Sequence, residues 1–411
     1  MFLKLWERMV KIPGCSEKTG MKIVLLNQAM GPLFRELAED LARVWSPSLL
    51  YTGRPPTQVF NGNDSLVIKA GPAYARRSNL KRLFSWLCYF FSALWVVAWQ
   101  SHRALLFIVS NPPFLGLIGL FYKMVRGQKY VVLVYDIYPD LLLRLGTIRR
   151  GFISRTWEFL NHIVLENADL VFTIGEDLAS LLEEKYDLGK TKAKRVVVIP
   201  NWADVTSIRP IAKADNWFAV KHGQLGKTTV IYSGNMGNSH DIESILEVAL
   251  ELRENDLVHF LFIGEGAKRS LVERMKAGKN LRNITLLPFQ SEEIVPFSIP
   301  TGDIGVVAYQ PGTEQCIFPS KAYYYMAAGL VPLVVSDRET DLGKMVIDRR
   351  CGVVVPNRDI EAMKQAILTL STDTELLQQY KKVARKTAEE CFSRNNTAQF
   401  VETIKRYDCI S

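Results

Sequence analysis

Apolar, β-branched runs alternate with helical patterns along almost the whole chain. In the first half they include MKIVLLNQ, ALLFIVSN and KYVVLVYD, and in the second half TTVIYSGN, VHFLFIGEG and VPLVVSD. Strands that read as continuous apolar runs, separated by helices, predict parallel sheets that are covered on both faces. Each half contains about six such runs, so the sequence predicts an α/β protein built from two doubly wound domains.

Strand signals stop in one stretch near the middle of the chain, IPNWADVTSIRPIAKADNW, where Pro, Asn and Asp collect. A chain of 411 residues is also too long for one typical core. We therefore predict a first domain over residues 21–208 and a second domain over residues 209–385. Residues 1–20 precede the first strand and are interpreted as an N-terminal extension.

The composition narrows the choice of function. Six scattered cysteines form no CxxC pair, which argues against a structural zinc site or a disulfide scaffold and fits a reducing, cytoplasmic compartment. Charges interrupt the only apolar stretch of the first 20 residues, so no cleavable signal peptide is predicted. The formal net charge of +9 suits phosphorylated substrates or anionic lipid. Without a long basic block or a nucleic-acid-binding motif, nucleic acid is not predicted as a partner.

Two glycine-rich turns follow strands of the second half, at the carboxyl ends where such sheets bind ligands. The first contains Gly234, Asn235 and Gly237, and the second contains Gly264 with Lys268 beside it. Glycines let the backbone approach a ligand closely, and a helix N-terminus favours an anion. The alternative is an ordinary pair of turns between strand and helix, with Lys268 on a solvated helix face.

The segment FPSKAYYYMAAG begins a third helix that is suited to an anion. Pro319 suits a helix start, Ser320 can cap the helix or offer its hydroxyl, and Lys321 adds a positive charge. Three such helix starts in one domain predict a nucleoside diphosphate as the ligand. In the alternative interpretation, Ser320 only caps the helix and Lys321 only extends to solvent.

The same segments occur in an order that resembles family 4 of the glycosyltransferases over about residues 21–390. They are YSGNMGNSHD, FIGEGAKR, LLPFQSEEI and PSKAYYYMAAGLVPLVVSD in the second half, and MKIVLLNQAMGPLF and VVLVYDIYPD in the first. The resemblance implies the GT-B fold, in which two Rossmann-like domains face a cleft. The first would bind the acceptor, the second would bind the nucleotide sugar, and a C-terminal helix over residues 386–411 would return to the first domain.

The resemblance also implies the reaction. A UDP- or GDP-linked sugar would be the donor substrate, no cofactor would be needed, and a saccharide or polyprenyl-linked molecule would be the acceptor. Transfer would retain the anomeric configuration and would need no metal. No Asp-x-Asp sequence occurs to hold a divalent cation on a diphosphate, which agrees with that expectation.

Individual residues take their predicted roles from both arguments. The donor would be bound by Gly31, Gly234, Asn235, Gly237, His240, Gly264, Lys268, Pro288, Phe289, Ser320 and Tyr324. Pro288 and Phe289 would lie near the nucleobase. The catalytic candidates are Lys321, which would stabilise the leaving diphosphate, Asp136, which follows a strand on the acceptor side, and Glu314. For Asp136 a turn or helix-capping role is the alternative.

Two positions depart from the family pattern. Many members carry two glutamates eight positions apart before the Ala-Ala-Gly segment, and Cys316 and Tyr324 occupy the corresponding positions here. Glu314 precedes the first position and would reach the sugar only if its loop bulges. The departure leaves two further functions open: a sugar-nucleotide epimerase of the same fold, and a non-catalytic protein that binds sugar nucleotides.

The segment LKRLFSWLCYFFSALWVVAWQSHR contains three Trp, three Phe and one Tyr, and no charge follows Arg82 for almost twenty residues. It is slightly short for a spanning helix and lies between strand signals. A buried core helix is one interpretation. The other is a peripheral contact with the cytoplasmic face of a membrane through residues 76–100, because basic residues flank the aromatic run. Those residues are Arg76, Arg77, Lys81 and Arg82.

Overall fold

The computed structural model describes residues 21–53, 65–75, 79–186, 188, 196–337 and 339–410. The predicted extension over residues 1–20 and the predicted membrane contacts Arg76 and Arg77 lie outside the described residues. The described chain forms two sheets of parallel strands. Helices cover both faces of each sheet, as the continuous apolar runs predict.

Seven strands form the first sheet. They are β1 Ile23–Leu26, β2 Ser48–Thr52, β3 Leu66–Ala70, β4 Leu105–Val109, β5 Tyr130–Val134, β6 Leu170–Thr173 and β7 Val196–Val198. Their spatial order is β3-β2-β1-β4-β5-β6-β7, so the order reverses beside β1. The accompanying helices are α1 Pro32–Val44, α2 Asn79–Ala98, α3 Gly116–Arg126, α4 Asp140–Arg144, α5 Phe152–Asn167 and α6 Glu176–Tyr186.

Six strands form the second sheet. They are β8 Thr228–Ser233, β9 Val258–Ile263, β10 Ile284–Leu287, β11 Ile304–Ala308, β12 Val331–Val335 and β13 Val353–Val355. Their order, β10-β9-β8-β11-β12-β13, reverses beside β8. The helices that follow the first domain are α7 Trp217–Lys221, α8 Ile242–Glu251, α9 Arg269–Gly278, α10 Val295–Ser298, α11 Lys321–Ala327, α12 Asp341–Arg349, α13 Ile360–Thr372, α14 Thr374–Cys391 and α15 Asn396–Ile410.

The central strands are buried on both faces because their side chains alternate between two apolar clusters. In β4, Leu106 and Ile108 belong to the cluster under α2 and α3. Leu105, Phe107 and Val109 belong to the cluster under α1 and α15. Both sheets thus have the Rossmann arrangement that the sequence predicts, with a reversal point where ligands bind.

Strand β3 was not predicted. Its residues are only partly buried and alternate with exposed positions, since β3 is the edge strand and pairs only with β2. The sequence SLVIKA is therefore more polar than the central strands, although β3 is as long as β4 and β5. The pattern of continuous apolar runs identifies strands that are buried on both faces and misses an edge strand of this kind.

The chain returns to the first domain later than predicted. Helix α14 packs on the second domain, where Ala384 and Ala388 join its core, so the predicted boundary at residue 385 falls inside this helix. Helix α15 packs against α1 through Phe400 and its neighbours. Between the two helices, Arg394 donates hydrogen bonds of 2.9 Å to the carboxylate of Asp40, which is buried beneath α15.

The two domains meet directly through the starts of α6 and α12. The backbone N–H of Asp177 donates to the Asp341 carboxylate at 2.7 Å, and the backbone N–H of Asp341 donates to the Asp177 carboxylate at 2.8 Å. Each aspartate therefore satisfies a free N–H of the other domain's helix. These contacts help to fix the cleft between the carboxyl ends of the two sheets.

Candidate active site

Loops from both sheets line the cleft. Asn201, after β7, donates a 2.9 Å hydrogen bond from Nδ2 to the hydroxyl of Ser320, just before α11. The backbone N–H of Ile137, after β5, donates to the carbonyl of Cys316 at 3.2 Å. These bonds hold the first domain against the segment that leads into α11. The structure thereby brings the Pro-Ser-Lys segment next to the strand ends of the other domain.

The two glycine-rich turns of the second domain touch each other through their backbones. Gly234, Gly264 and Gly266 have φ angles of +137°, +150° and +144°, which residues with side chains rarely adopt. A Cβ on Gly264 would lie 1.9 Å from the Gly234 carbonyl oxygen, and one on Gly266 would lie 2.6 Å from the backbone of Met236. Only glycine fits either place, so the two loops form one closely packed surface at the ends of β8 and β9.

Lys321 directs its ammonium group at this surface. Its Nζ lies 3.7 Å from the centre of the Tyr232 ring and has no hydrogen-bond partner among the described residues. A Cβ on Gly234 would lie 3.6 Å from that nitrogen, so the ammonium and the first glycine turn are neighbours. Burial lowers the pKa of Lys321 from 10.5 to about 7. The interpretation that Lys321 only extends to solvent is therefore wrong.

Ser320 occupies the residue before α11, but its side chain accepts no hydrogen bond from the helix backbone. The prediction that Ser320 caps the helix is wrong, because its hydroxyl instead accepts the hydrogen bond from Asn201. The hydroxyl retains its own proton for a further acceptor. Ser320 and Lys321 thus present one hydroxyl and one ammonium in consecutive positions.

The ammonium of Lys268 is already bound by acceptors of the second domain. Its ammonium donates to the carbonyl of His240 at 2.7 Å, to the carboxylate of Glu243 at 2.7 Å and to the side chain of Gln310 at 3.1 Å. It would have to leave these acceptors to reach a phosphate. The lysine instead supports the loop that carries His240. Burial first, and then the charge of Lys321, hold the pKa of His240 well below its usual value, so that the ring is neutral.

The remaining candidates on the phosphate side differ in how strongly the fold constrains them. Asn235 is exposed at the turn, and a Cβ on Gly237 would lie 2.8 Å from its Nδ2. Gly31 precedes α1 with an ordinary φ of −106°, and a Cβ there would meet nothing within 4 Å. The backbone conformation of the first turn therefore requires Gly234, whereas a Cβ on Gly237 would displace only the exposed Asn235 side chain and a Cβ on Gly31 would displace nothing.

Asp136 lies at the end of β5 beside an apolar cavity of about 60 Å³. The cavity wall includes a stack in which the ring of Trp157 lies 4.7 Å from Phe114 and 6.0 Å from Tyr138. Burial raises the pKa of Asp136 to about 6. Its carboxylate has no hydrogen bond or ion pair to another residue in the described part of the chain. A carboxylate in this state can accept a hydrogen bond from a hydroxyl group.

The two positions that depart from the family pattern have different environments. Cys316 is fully buried, and burial raises the pKa of its thiol to about 11, so it cannot replace a carboxylate. Glu314, in the turn just before it, accepts a hydrogen bond from the Asn357 amide. Tyr324 is half-buried, and burial raises the pKa of its hydroxyl, with the nearby charges of Glu36 and Glu292 adding to the shift.

Pro288 and Phe289, the predicted base contacts, follow the edge strand β10. Phe289 is 44% exposed, so its ring offers a face that a planar base could cover. Nearby in sequence, Glu292 forms a 3.3 Å ion pair with Arg35 of the first domain. The predicted base site thus lies where the second domain meets α1.

Several residues of the cleft were not predicted. Trp202 donates a 2.6 Å hydrogen bond to the carboxylate of Glu36, and Arg144 donates to the Gly312 carbonyl at 2.9 Å across the cleft. Asn201 was also missed. The signal for Asn201 and Trp202 was their position, three and four residues after the last strand of the first domain. The partners of Glu36 and Arg144 are far away in sequence, and no local pattern indicates them.

No group of three or more His, Cys, Asp and Glu side chains among the described residues is arranged to hold a metal ion. The cations near the glycine turns are those of Lys321, Lys268 and Arg269. Arg269, like Lys268, is bound to the protein, since it donates at 2.7 Å to the Gly264 carbonyl. Of these three described cations, Lys321 is the one without a hydrogen-bond acceptor.

Two family models match the chain, one to each half. The model described as "Glycosyl transferase 4-like domain" matches residues 28–202, and the one described as "Glycosyl transferases group 1" matches residues 227–373. Together with the two sheets and the Pro-Ser-Lys site, they define the class. The chain belongs to family 4 of the glycosyltransferases, and it has the GT-B fold.

Named relatives agree with this class. The chain is 27% identical over 288 residues to the putative colanic acid biosynthesis glycosyl transferase WcaI of Escherichia coli, an alignment that covers 68% of each chain. It is 28% identical over 264 residues to the probable glycosyltransferase WbjE of Pseudomonas aeruginosa, covering 63% of this chain and 64% of that one. The protein is thus a glycosyltransferase that uses a nucleotide-sugar donor.

Solved structures share the fold across nearly the whole chain. A sucrose-phosphate synthase from Thermosynechococcus elongatus superposes with a TM-score of 0.74 at 18% identity, covering 95% of this chain and 100% of that one. Anabaena HepE in complex with UDP and glucose superposes with a TM-score of 0.71 at 13% identity, covering 94% and 100%. At these identities the superpositions establish the fold alone.

The unpaired ammonium of Lys321 generates a prediction about stability. Lys321→Met should stabilise the unliganded protein by roughly 1–3 kcal/mol at pH 7, because it removes a buried charge without an acceptor. The advantage should be greatest at or below pH 7, where Lys321 is charged in both states. It should shrink as the pH rises from 7 toward 10, because the folded lysine is then neutral and releasing its proton on folding costs less as the pH approaches the ordinary pKa of 10.5.

Urea denaturation at pH 6, 7 and 9 measures this difference in the free energy of unfolding. Lys279→Met, which removes an exposed lysine of the same domain, is the matched control and should change stability little. A Lys321→Met protein that is less stable than the wild type at pH 7 would show that the ammonium is satisfied in the folded state.

Proposed function

We propose that the protein transfers a sugar, with retention of configuration, from a nucleoside diphosphate sugar to a lipid-linked saccharide at the cytoplasmic face of a membrane. The product would be a surface polysaccharide or glycan, as the name of the Escherichia coli relative suggests. The proposal of a nucleotide-sugar donor rests on the ammonium of Lys321. This group is buried, has no partner among the described residues and is directed at two glycine turns. An anionic ligand supplies what this group lacks.

The donor diphosphate would lie between the Gly234 turn and Lys321. The hydroxyl of Ser320 would donate to a phosphate oxygen, and Lys321 would stabilise the charge that develops on the leaving diphosphate. Uridine is the favoured base, because Anabaena HepE, a structural neighbour, was solved in complex with UDP-glucose. Guanosine is the alternative base, so GDP-sugars are tested beside UDP-sugars.

Asp136 supports a transfer reaction over epimerisation. Its carboxylate ends a strand on the opposite side of the cleft and has a pKa of about 6, so it is mostly ionised at neutral pH. It could orient an acceptor hydroxyl by accepting its hydrogen bond. An epimerase needs no such acceptor side. A non-catalytic binder is favoured only by the loss of the family glutamate at Cys316.

Turnover distinguishes the three functions. The purified protein is incubated in excess EDTA with UDP- or GDP-sugars, with and without a lipid extract that contains polyprenyl-linked saccharides. A transferase consumes the donor and labels the lipid only when the extract is present. An epimerase changes the sugar nucleotide without the extract, and a binder leaves both unchanged. Loss of transfer in EDTA that Mg²⁺ or Mn²⁺ restores would contradict metal independence.

The affinity for the donor nucleotide tests the role of Lys321. Lys321→Ala should weaken UDP binding, or GDP binding if guanosine is the base, by about 1.5–3 kcal/mol, because a charge-assisted contact is lost. Wild-type affinity should also fall as the pH rises from 7 to 9, by up to about tenfold per pH unit, because an ammonium with a pKa of about 7 must take up a proton to bind.

Titration calorimetry at pH 7, 8 and 9 measures both effects. Lys279→Ala removes an exposed lysine and should retain the wild-type affinity and pH dependence. The Lys321→Ala protein should bind weakly with little pH dependence over this range. Equal affinities of the wild type and Lys321→Ala at pH 7 would exclude Lys321 as a phosphate ligand.

Three neighbouring helices of the first domain support the membrane part of the proposal. Helices α2, α3 and α5 cover the same face of the first sheet. Each also exposes large apolar side chains on its outer side: Phe84, Phe91, Trp95, Phe121, Met124, Val125, Phe152, Ile153 and Phe159. Large exposed apolar patches mark interaction sites, and exposed side chains on helices that cover one face of a sheet can form such a patch. No helix among the described residues is long and apolar enough to cross a bilayer, so the proposed contact is peripheral.

Vesicle flotation tests the contact. The triple variant Phe91→Ser, Trp95→Ser, Trp99→Ser removes side chains that are 64%, 66% and 73% exposed, so it should fold and should bind anionic vesicles at least about tenfold more weakly. The control variant Val220→Ser, Leu225→Ser, Leu257→Ser removes exposed apolar residues of the second domain and should float like the wild type. A wild type that does not float even at low salt would show that this face does not bind membranes.

A further inference from the structure

A basic pocket lies between α4 and α5 of the first domain, apart from the donor site. It has a volume of about 620 Å³, within the usual range for ligand pockets. Arg144, Arg149 and Arg150 line it together with the carboxylates of Asp140 and Glu158. We propose that this pocket binds the diphosphate group of a polyprenyl diphosphate-linked acceptor. The proposal rests on the function proposed above and names the chemical class of the acceptor.

The charges of the pocket favour an anion. Both carboxylates are already paired, since the ammonium of Lys185 lies 2.6 Å from Asp140 and 2.9 Å from Glu158. Arg149 and Arg150 are exposed and have no hydrogen bond or ion pair to any residue in the described part of the chain. Counting Lys185, four cations face two carboxylates. The net positive charge complements a diphosphate ester.

The pocket also adjoins the cleft. Arg144, on its wall, donates to the Gly312 carbonyl at 2.9 Å and to Gln315 at 3.2 Å, so the pocket adjoins the loop that leads into the donor site. Asp140 lies only four residues after Asp136, and the two Cα atoms are therefore at most about 14 Å apart. A short saccharide attached to a diphosphate in the pocket could extend to Asp136.

The neighbouring surface suits the lipid part of such an acceptor. The two arginines are followed by Gly151 and then by Phe152 and Ile153, which are 85% and 78% exposed. These two side chains belong to the apolar face of α2, α3 and α5 that we propose to contact the membrane. A diphosphate bound by the arginines would thus lie at the bilayer surface, with its hydrocarbon chain directed into the bilayer.

Binding of farnesyl diphosphate tests the pocket. The titration is done with saturating UDP, so that the donor site is occupied, and farnesyl monophosphate and inorganic pyrophosphate are compared. The wild type should prefer the farnesyl diphosphate. Arg149→Gln, Arg150→Gln should weaken its binding by about 30-fold or more while leaving the affinity for UDP unchanged. The control Arg274→Gln, Arg282→Gln removes the same charge from exposed positions of the second domain and should bind like the wild type.

The outcomes separate this proposal from the proposed function. If the wild type binds UDP but not farnesyl diphosphate, or if the arginine variant binds it normally, the pocket is not an acceptor site and the donor proposal stands. If the variant loses binding to phosphatidylglycerol vesicles and shows no preference for diphosphate over monophosphate, the arginines recognise phospholipid headgroups and the proposal is overturned. Selective binding without any transfer would instead contradict the proposed function alone.

Discussion

The ammonium group of Lys321 lies against an aromatic ring and has no hydrogen-bond acceptor in the part of the chain that the structure describes. A buried ammonium without an acceptor costs free energy, and the protein lowers that cost by lowering the pKa of the group to about 7. The position is maintained by the surrounding packing, because Tyr232 and the neighbours of α11 are fully buried. The structure thus retains an unfavourable charge that a bound anion would make favourable.

The glycine turns form the surface beside that ammonium. Gly234, Gly264 and Gly266 bring two backbones into contact there, because a side chain on Gly264 or Gly266 would collide with the facing backbone. Lys268 supports the loop of His240 by donating to its carbonyl, so one lysine is bound by the loop and the other has no acceptor among the described residues. The hydrogen bond from Asn201 to Ser320 links the start of α11 to the first domain.

Those parts of the structure that follow from local sequence patterns could be predicted from the sequence. Buried strands, glycine turns and the start of α11 each have a signature within about ten residues, and the structure contains them. The edge strand β3 has a weaker signature because one row of its side chains faces solvent.

What the sequence could not show at the site has a different cause. Lys268 and Lys321 look alike in sequence, as cations beside glycine-rich turns, and only the tertiary structure shows that Glu243 and Gln310 bind the first. Ser320 fails as a cap because a residue more than a hundred positions away engages its hydroxyl. Whether a polar group is free or already paired is a property of the tertiary structure, and no local pattern contains it.

The family pattern and the structure together constrain how this site can work as a transferase. Cys316 provides no carboxylate near the sugar, and the carboxylate of Glu314 is already bonded by Asn357. As the bond between sugar and diphosphate breaks, positive charge develops on the sugar and negative charge on the leaving group. On the proposed function, the leaving diphosphate itself faces the sugar and stabilises its charge. Transition-state stabilisation then depends on the groups that bind the diphosphate. The unpaired charge of Lys321 is therefore more important here than in family members that carry the glutamate.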